Sequence, residues 1–238
     1  MATLAKPGFA ERHVSAQSKA DACFSSLSPL LEQAPDSVNH SCSYPSGTTL
    51  FLEGQKADGV YLIFKGQMKL NVTRSDGKSI ILRIAQPGDL IGLECMVAGK
   101  TFGMTAETLD PCEVRFIPRE MLRRLMHNHQ EVCIAVAEQL SNDYRSACSQ
   151  IRSLGLSRTA SERIVLFLLD WGSRGKQTDH GLRVNIPLKH EEIAQIVGVS
   201  RETVTRTFTD LKQKQLIATK GPAVLIRNKS ALEALTTN

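Results

Sequence analysis

The sequence predicts an α+β fold in which an N-terminal β-roll (a jelly roll) is followed by a long helix and a C-terminal winged helix-turn-helix. Three patterns support this prediction: apolar-polar alternation divided by turn signals over residues 41–118, a seven-residue apolar repeat over 131–154, and a helix-glycine-helix pattern over 189–211. The chain has 238 residues, of which 42% are apolar, so it is long enough for two small domains with separate cores.

Residues 1–118 are predicted to form an arm and then the β-roll domain. Residues 1–22 are polar and predicted to be mobile, and a short amphipathic helix is predicted over 24–33. The β-roll domain, residues 23–118, contains the runs TLFLEG, GVYLIFKG, QMKLNVTRSDG, SIILRIAQPGD, TFGMTAETLD and EVRFIP. Signals for chain reversal separate these runs. They are Gly54, Gly66, Asp76-Gly77, Pro87-Gly88 and Asp110-Pro111.

Residues 119–155 are predicted to form a dimerisation helix. Apolar or small residues recur there at alternating steps of four and three, which is the spacing of a coiled-coil seam. The seam consists of Cys133, Ala137, Leu140, Tyr144, Ala147, Ile151 and Leu154. The chain's own β-roll could also cover this stripe, but its regularity favours a second copy and therefore a homodimer.

Residues 156–238 are predicted to form the winged-helix domain. Gly155 ends the long helix, and Ser161 is predicted to cap an apolar helix with the sequence SERIVLFLLDWG. The segment SRGKQTDHG is predicted to be a loop and LRVNIPL a strand. The segment KQLIATKGPAVLIRN then forms a hairpin that turns at Gly221-Pro222, as the wing.

The helix-turn-helix has a spacing that fits recognition of duplex DNA. Ile193, Ala194 and Val197 form one apolar stripe, Gly198 suits the left-handed end of a helix, and Ser200 is a good N-cap for the next. Arginine pairs with guanine edges in the major groove, and glutamate accepts from cytosine. The predicted DNA-binding residues are Lys189, Ser200, Arg201, Glu202, Thr205, Arg206 and, at the wing tip, Lys220.

The distribution of charge, apolar runs and motifs in the sequence argues against several other classes of protein. All of the net charge of +5 falls after Gly155, because residues 156–238 contain 13 Lys and Arg against 8 Asp and Glu, and this excess fits a polyanionic partner. No apolar run approaches the ~20 residues of a membrane span, and the N-terminus lacks the core of a signal peptide. A cytoplasmic location without membrane association is therefore expected. No catalytic arrangement or metal-ligand cluster is apparent, so an enzyme is the less favoured class.

The chain resembles transcription regulators of the Crp/Fnr family, which includes the cyclic-AMP receptor protein and the fumarate-nitrate reduction regulator. The resemblance is carried by GTTLFLEGQKADGVYLIFKGQMKL, QPGDLIG, Cys112 to Val114, and IAQIVGVSRETVTR. It implies a cyclic-nucleotide-binding-type β-roll and a homodimer on palindromic promoter DNA. Arg201, Glu202 and Arg206 match the base-reading positions of the cyclic-AMP receptor protein, which implies half-sites resembling TGTGA. It also implies contact with RNA polymerase by the loop 174–181, through Lys176, Asp179 and His180.

The signal that the β-roll senses is less well defined by the sequence. In cyclic-AMP-binding members a Gly-Glu pair holds the ribose and an Arg-Ser pair holds the phosphate. Here the acid comes one place late, at Glu94, and Phe102 stands near the arginine position, which would leave a buried phosphate uncompensated. The candidate effector-pocket residues are Gly92, Glu94, Cys95, Phe102, Cys148 and Ser149. Cyclic AMP is therefore not the expected ligand, and the effector, if one is needed, is unknown.

The alternative is a redox- or gas-sensing regulator of the oxygen-responsive branch. That branch holds a [4Fe-4S] cluster with three closely spaced N-terminal cysteines and one near Cys112. This chain offers only Cys23 and Cys42 on the N-terminal side, whereas four thiolates are the usual requirement. A haem would need axial ligands, and no histidine lies close to Cys95 and Met96 in sequence. Neither cofactor is therefore expected.

Overall fold

The computed structural model describes residues 41–155, 159–173 and 175–236, together with Leu27, Pro29 and Leu30. These residues form two compact units, which meet in the sequence between Arg152 and Ser153. The arm predicted over residues 1–22, and all but three residues of the helix predicted over 24–33, lie outside the described part of the chain.

The first unit contains the predicted antiparallel β-roll. Its strands are β1 (Ser41–Tyr44), β2 (Thr49–Phe51), β3 (Gly59–Lys65), β4 (Met68–Thr73), β5 (Ser79–Ala85), β6 (Leu90–Ile91), β7 (Thr105–Thr108) and β8 (Cys112–Pro118). They pair as two four-stranded sheets with the orders β1-β8-β3-β6 and β2-β7-β4-β5. Each of the six predicted runs contains one strand, so the prediction of a β-roll is confirmed, while β1 and β6 are additional.

Strand β3 shows why the alternating runs become strands between two cores. Ile63 points into the interior of the roll, where it packs with Phe51 and Met68. Val60 and Leu62 point the other way, into a core completed by helices. Successive side chains of a strand lie on opposite faces, so a strand of this composition is buried on both sides.

The turn at Gly66, between β3 and β4, needs a glycine for two reasons. Its φ of +84° lies in the left-handed region, and a Cβ there would approach the carbonyl oxygen of Pro111 to 2.5 Å. The predicted reversal at this residue is confirmed.

Helices complete the core of the first unit: one lies between β6 and β7, and two follow β8. They are α1 (Leu93–Ala98), α2 (Arg119–Asn128) and α3 (Gln130–Gly155). The sequence prediction omitted α1 and treated residues 119–155 as one dimerisation helix. The chain instead breaks at His129, whose extended backbone, with φ −133° and ψ 106°, ends α2 before α3 begins.

The inner face of α3 differs from the predicted seam. Val132, Ala135 and Val136 pack against the β-roll. Leu140 packs against the same core, and the Cys133 thiol lies 2.8 Å from the Met126 carbonyl oxygen. Both side chains therefore contact their own chain, whereas the predicted seam assigned them to a partner.

The outer face of α3 carries the rest of that seam. Ala137, Tyr144, Ala147, Ile151 and Leu154 are exposed. Ile134, which the seam omitted, is also exposed, with 53% of its surface accessible. Up to Ile151, these side chains line a face of α3 that no described part of its own unit covers.

The second unit is a winged helix. Its elements are α4 (Ala160–Gly172), β9 (Lys176–Thr178), β10 (Gly181–Asn185), α5 (His190–Val197), α6 (Arg201–Gln213), β11 (Ile217–Lys220), β12 (Ala223–Ile226) and α7 (Lys229–Ala234). The four strands form one sheet with the order β11-β12-β10-β9. Buried side chains of α4, including Ile164, Val165, Leu168 and Trp171, provide the floor that the sequence predicted.

Three local predictions in this unit need correction. The N-cap of α4 is Thr159, not Ser161, because only Thr159 has a glutamate three residues later, and its side chain accepts from the Glu162 N–H while Glu162 accepts from the Thr159 N–H. Lys176 lies in strand β9 rather than in a loop. Helix α7 was not predicted, although Asn228 caps it by accepting from the Ala231 N–H at 2.9 Å.

Candidate functional sites

The turn between α5 and α6 is short and built from the predicted residues. Gly198 ends α5 with a φ of +71°, and its N–H donates to the Ala194 carbonyl at 2.9 Å. The Ser200 hydroxyl then accepts from the Thr203 N–H at 3.2 Å and caps α6. Both predictions are confirmed, and together they fix the second helix directly after the first.

Helix α6 has one buried and one exposed face. Val204, Phe208 and Leu211 are buried in the unit's core, and so is Thr207. Four predicted DNA-binding residues lie on the opposite, exposed face. They are Arg201, Glu202, Thr205 and Arg206. A helix held on one side by apolar packing presents these side chains together, as reading the edges of bases requires.

The side chains at the start of α6 interact with one another and set the charge of Glu202. A hydrogen bond from its own backbone N–H lowers the pKa of Glu202, and the Ser200 hydroxyl and the Arg201 charge act in the same direction. Glu202 is therefore ionised at neutral pH. The Thr205 hydroxyl lies 3.0 Å from the Arg201 carbonyl oxygen.

Two further predicted lysines lie outside α6. Lys189 is exposed at the start of α5, where its N–H donates to the Glu192 carboxylate at 2.9 Å. Lys220 is exposed at the end of β11, where the wing turns through Gly221, so the predicted hairpin is confirmed.

The sequence analysis did not identify His190 as part of this site. Its Nδ1 lies 2.9 Å from the Thr205 hydroxyl, and no spacing rule could have indicated that contact.

The candidate effector end of the β-roll is filled by aromatic side chains. Phe102 is only 4% exposed and stacks on Phe51 with ring centroids 3.8 Å apart. Gly92 makes room for this ring, since a Cβ there would approach it to 2.6 Å. Tyr61 extends the stack, 5.7 Å from Phe51. Phe102, which stands near the position that the family resemblance assigns to the phosphate-binding arginine, is thus a buried aromatic ring rather than a cation.

The other candidate pocket residues have separate surroundings. Glu94 is exposed and accepts from the Cys95 thiol at 3.1 Å, while Cys148 is half-buried and Ser149 is exposed on α3. Burial raises the pKa of the Cys95 thiol, and that of Cys112, to about 11. Both thiols are therefore protonated at neutral pH. Among the residues that the structure describes, no group of three or more His, Cys, Asp or Glu side chains could hold a metal ion.

A charge cluster that the sequence did not indicate ties α3 to the β-roll. Arg83 of β5 contacts the Asp143 carboxylate of α3 and lies 3.4 Å from the Asp89 carboxylate. Burial raises the pKa of Asp143 to about 6 despite the Arg83 charge, and Asp89 and Glu94 raise it further. Gln139 adds a second link, because its amide both accepts from the Leu90 N–H and donates to the Leu90 carbonyl.

Comparison with known proteins identifies both units. Residues 41–129 match the model of the cyclic nucleotide-binding domain, and residues 162–235 match that of the Crp-like helix-turn-helix domain. The CRP-like cAMP-activated global transcriptional regulator of Mycobacterium tuberculosis is 30% identical over 190 residues, covering 79% of this chain and 84% of that protein. The chain belongs to the Crp/Fnr family. It is a DNA-binding transcription regulator of that family.

Two further proteins are similar to this chain over most of their length. The transcriptional activatory protein AadR of Rhodopseudomonas palustris is 28% identical over 193 residues, covering 81% of this chain and 79% of that protein. The structure of FixK2 from Bradyrhizobium japonicum superimposes with a TM-score of 0.74 at 25% identity, covering 84% of this chain and 98% of FixK2. The α+β fold predicted from the resemblance to this family is confirmed.

The polymerase-contact candidates occupy a hairpin rather than a loop. Lys176 pairs with Arg183 across β9 and β10, and Asp179 and His180 form the turn between these strands. All three candidates are exposed.

None of the helices in the described part of the chain combines the length and apolarity that a membrane span requires.

Proposed function

We propose that this regulator binds an inverted-repeat promoter site as a homodimer, with half-sites that resemble TGTGA. The observation that carries the proposal is the exposed face of α6, which combines Arg201, Arg206 and the ionised Glu202 on a helix whose other face is buried. We propose on the same ground that it is a cytoplasmic DNA-binding protein and not an enzyme; the exposed face of α6 supports this proposal.

The base preference follows from hydrogen-bonding chemistry. Arg201 and Arg206 can each donate two hydrogen bonds to guanine O6 and N7, and Glu202 can accept from the N4 amino group of cytosine. A carboxylate in a negatively charged groove also disfavours bases that offer it no donor. Each bidentate contact is worth about 1–3 kcal/mol of discrimination.

Selection from a random duplex library tests the half-site. The wild-type chain should recover inverted repeats with paired G·C positions, and Glu202→Ala should relax selection mainly at one G·C pair. Asp210→Ala is the matched control, because it removes an exposed carboxylate from the C-terminal half of the same helix. Recovery of half-sites without the paired G·C positions, or unchanged selection by Glu202→Ala, would refute the assignment.

Lys220 is proposed to contact backbone phosphate, which carries no sequence information. Lys220→Ala should therefore weaken binding to all duplexes alike and reduce the slope of log K against log salt by about one. A change in the selected sequence would instead indicate base contact.

The homodimer is proposed to form through the outer face of α3. Ile134, Tyr144 and Ile151 are 53%, 72% and 68% exposed, which is unusual for side chains of this size on one helix. A groove of about 330 Å³ follows the same face. It is lined by Ile134, Ala137, Glu138, Ser141, Asn142 and Arg145. A second copy related by a two-fold axis would cover it, and would bring two recognition helices to two half-sites.

Sedimentation of the double variant Ile134→Glu/Ile151→Glu tests this interface. Like charges facing each other across the axis should give a monomer. Leu52→Glu is the matched control, because Leu52 is equally exposed, at 57%, but lies just beyond β2. A double variant that stays dimeric at micromolar concentration would locate the interface elsewhere.

We propose that the β-roll does not sense cyclic AMP. The stacked rings of Phe51 and Phe102 support this, as they fill the position where a phosphate would need a cation. Calorimetry should detect no binding of cyclic AMP, and DNA affinity should not change on adding it. An absorption spectrum of anaerobically purified protein tests the redox- and gas-sensing alternative, and a haem or iron-sulfur band would establish that alternative.

Transcription activation is proposed to use the β9–β10 hairpin. Alanine at Lys176, Asp179 and His180 should lower transcription in vitro without changing promoter affinity, because these side chains are exposed and lie outside α6. A parallel loss of affinity would contradict a role in binding RNA polymerase.

A further inference from the structure

His190 connects the first helix of the helix-turn-helix to the reading face of the second. It is the first residue of α5, and its Nδ1 lies 2.9 Å from the hydroxyl oxygen of Thr205. Its ring also packs against Phe208 of α6, with centroids 5.0 Å apart. His190 is thus the side chain that holds Thr205, one of the four exposed residues proposed to face the bases.

The hydrogen bonds of Thr205 define where the imidazole carries its proton. The Thr205 hydroxyl lies 3.0 Å from the Arg201 carbonyl oxygen, which can only accept, so the hydroxyl proton points there. The Thr205 oxygen then accepts from Nδ1–H of His190. The neutral ring is therefore protonated at Nδ1, and Nε2 is the atom that can take up a second proton.

The surroundings keep this ring neutral in the free protein. Burial lowers the pKa of His190, and the positive charges of Lys212 and Arg201, both on α6, lower it further. In a helix-turn-helix complex the recognition helix enters the major groove while the first helix crosses the phosphate backbone. Phosphates near the start of α5 would reverse the balance of charge around His190.

We propose that His190 takes up a proton at Nε2 when the protein binds DNA, so that DNA affinity increases as the pH falls. The proton comes from solvent, Nε2–H then donates to a phosphate oxygen, and the Nδ1–H bond to Thr205 is kept. The gain in affinity is complete below the pKa of the free protein and is lost as the pH rises through the higher pKa of the complex. This inference rests on the proposed function.

Titration of DNA affinity between pH 6 and 8.5, at fixed salt and with the selected duplex, tests the inference. Wild-type affinity should fall by up to about tenfold per pH unit for each subunit bound. His190→Gln should lose this dependence while keeping a side-chain donor for Thr205, and His190→Arg should bind tightly at every pH. His127→Gln is the matched control, because it removes an exposed imidazole that lies in α2, outside the helix-turn-helix, and should behave like wild type.

Calorimetry of the unmodified full-length chain provides a second measurement. Titrating duplex in buffers that differ in ionisation enthalpy counts the protons taken up, which should approach one per subunit near neutral pH. Sequence-selective binding without proton uptake, or with an undiminished pH dependence in His190→Gln, would overturn this inference alone. Failure to select any duplex sequence at every pH would overturn the proposed function and this inference with it.

Discussion

Arg201 at the start of α6 and Arg83 in β5 both lie near carboxylates, but in opposite surroundings. Arg201 is exposed, beside Glu202. Arg83 has only 20% of its side chain accessible and is shared between Asp89 and Asp143. The first arginine has hydrogen-bond donors available for a ligand, whereas the second uses its donors within its own unit.

This difference distinguishes an arginine that is available to bind DNA from one that stabilises its own unit. Exposed ion pairs contribute little to stability because water screens them. A partly buried arginine between two carboxylates is different, since removing it leaves two partly buried carboxylates without a counter-charge. The helix-turn-helix should therefore tolerate charge removal and lose DNA binding, while the β-roll should lose stability.

Arg83→Ala should give the largest change in stability. We expect the free energy of unfolding at pH 7.5 to fall by about 3 kcal/mol, because Asp89 and Asp143 must then stay uncompensated or take up a proton. Urea denaturation, followed in the full chain, measures the change.

Two matched arginine variants complete this comparison. Arg74→Ala removes an exposed partner of Asp76 from the same unit and should change stability by less than about 0.5 kcal/mol. Arg201→Ala should be equally neutral for stability yet weaken selective DNA binding. A loss of stability in Arg74→Ala or Arg201→Ala as large as that in Arg83→Ala would contradict the distinction.

The pH dependence of stability should also differ between the two regions. The pKa of Asp143, about 6 in the folded state, lies above its unfolded value, whereas the pKa of Glu202 is lowered. The stabilisation from protonated Asp143 is therefore present below the unfolded pKa and is lost as the pH rises through about 6. We expect the loss of this stabilisation to reduce the free energy of unfolding by about 1 kcal/mol between pH 5 and pH 7.

Asp143→Asn tests this pH dependence. Arg83, Asp89 and Glu94 face the carboxylate, and they remain in the variant. The difference in unfolding free energy between wild type and Asp143→Asn should change over this pH range, while Glu202→Gln should follow the wild type. Parallel curves for wild type and Asp143→Asn would show that Asp143 does not titrate there.

Much of the fold could be predicted because local patterns determine it. The alternation in β3, the left-handed turn at Gly66 and the Gly198–Ser200 connection each depend on a few neighbouring residues. The exposed face of α6 was predictable for the same reason, since residues three or four positions apart lie on the same face of a helix.

Features that depend on tertiary contacts could not be predicted in this way. A heptad spacing gives Cys133 and Leu140 to the seam, but the path of α3 over the β-roll turns them inward. The pairing of Arg83 with Asp143 joins residues 60 positions apart, and the contact of His190 with Thr205 crosses from one helix to the next. No local rule relates such positions.

The smallest effect expected in this comparison distinguishes two caps for α4 that differ by two residues. Both Thr159 and Ser161 are exposed, but only Thr159 forms reciprocal hydrogen bonds with Glu162. Thr159→Ala should lower the free energy of unfolding of the winged-helix unit by about 1 kcal/mol, because an N–H at the helix start loses its acceptor. Ser161→Ala lies inside the first turn and should be neutral or slightly stabilising, since alanine favours helix. Denaturation of the two variants, followed by the fluorescence of Trp171 in α4, measures both changes. Equal destabilisation would mean that the cap contributes no more than a surface hydroxyl.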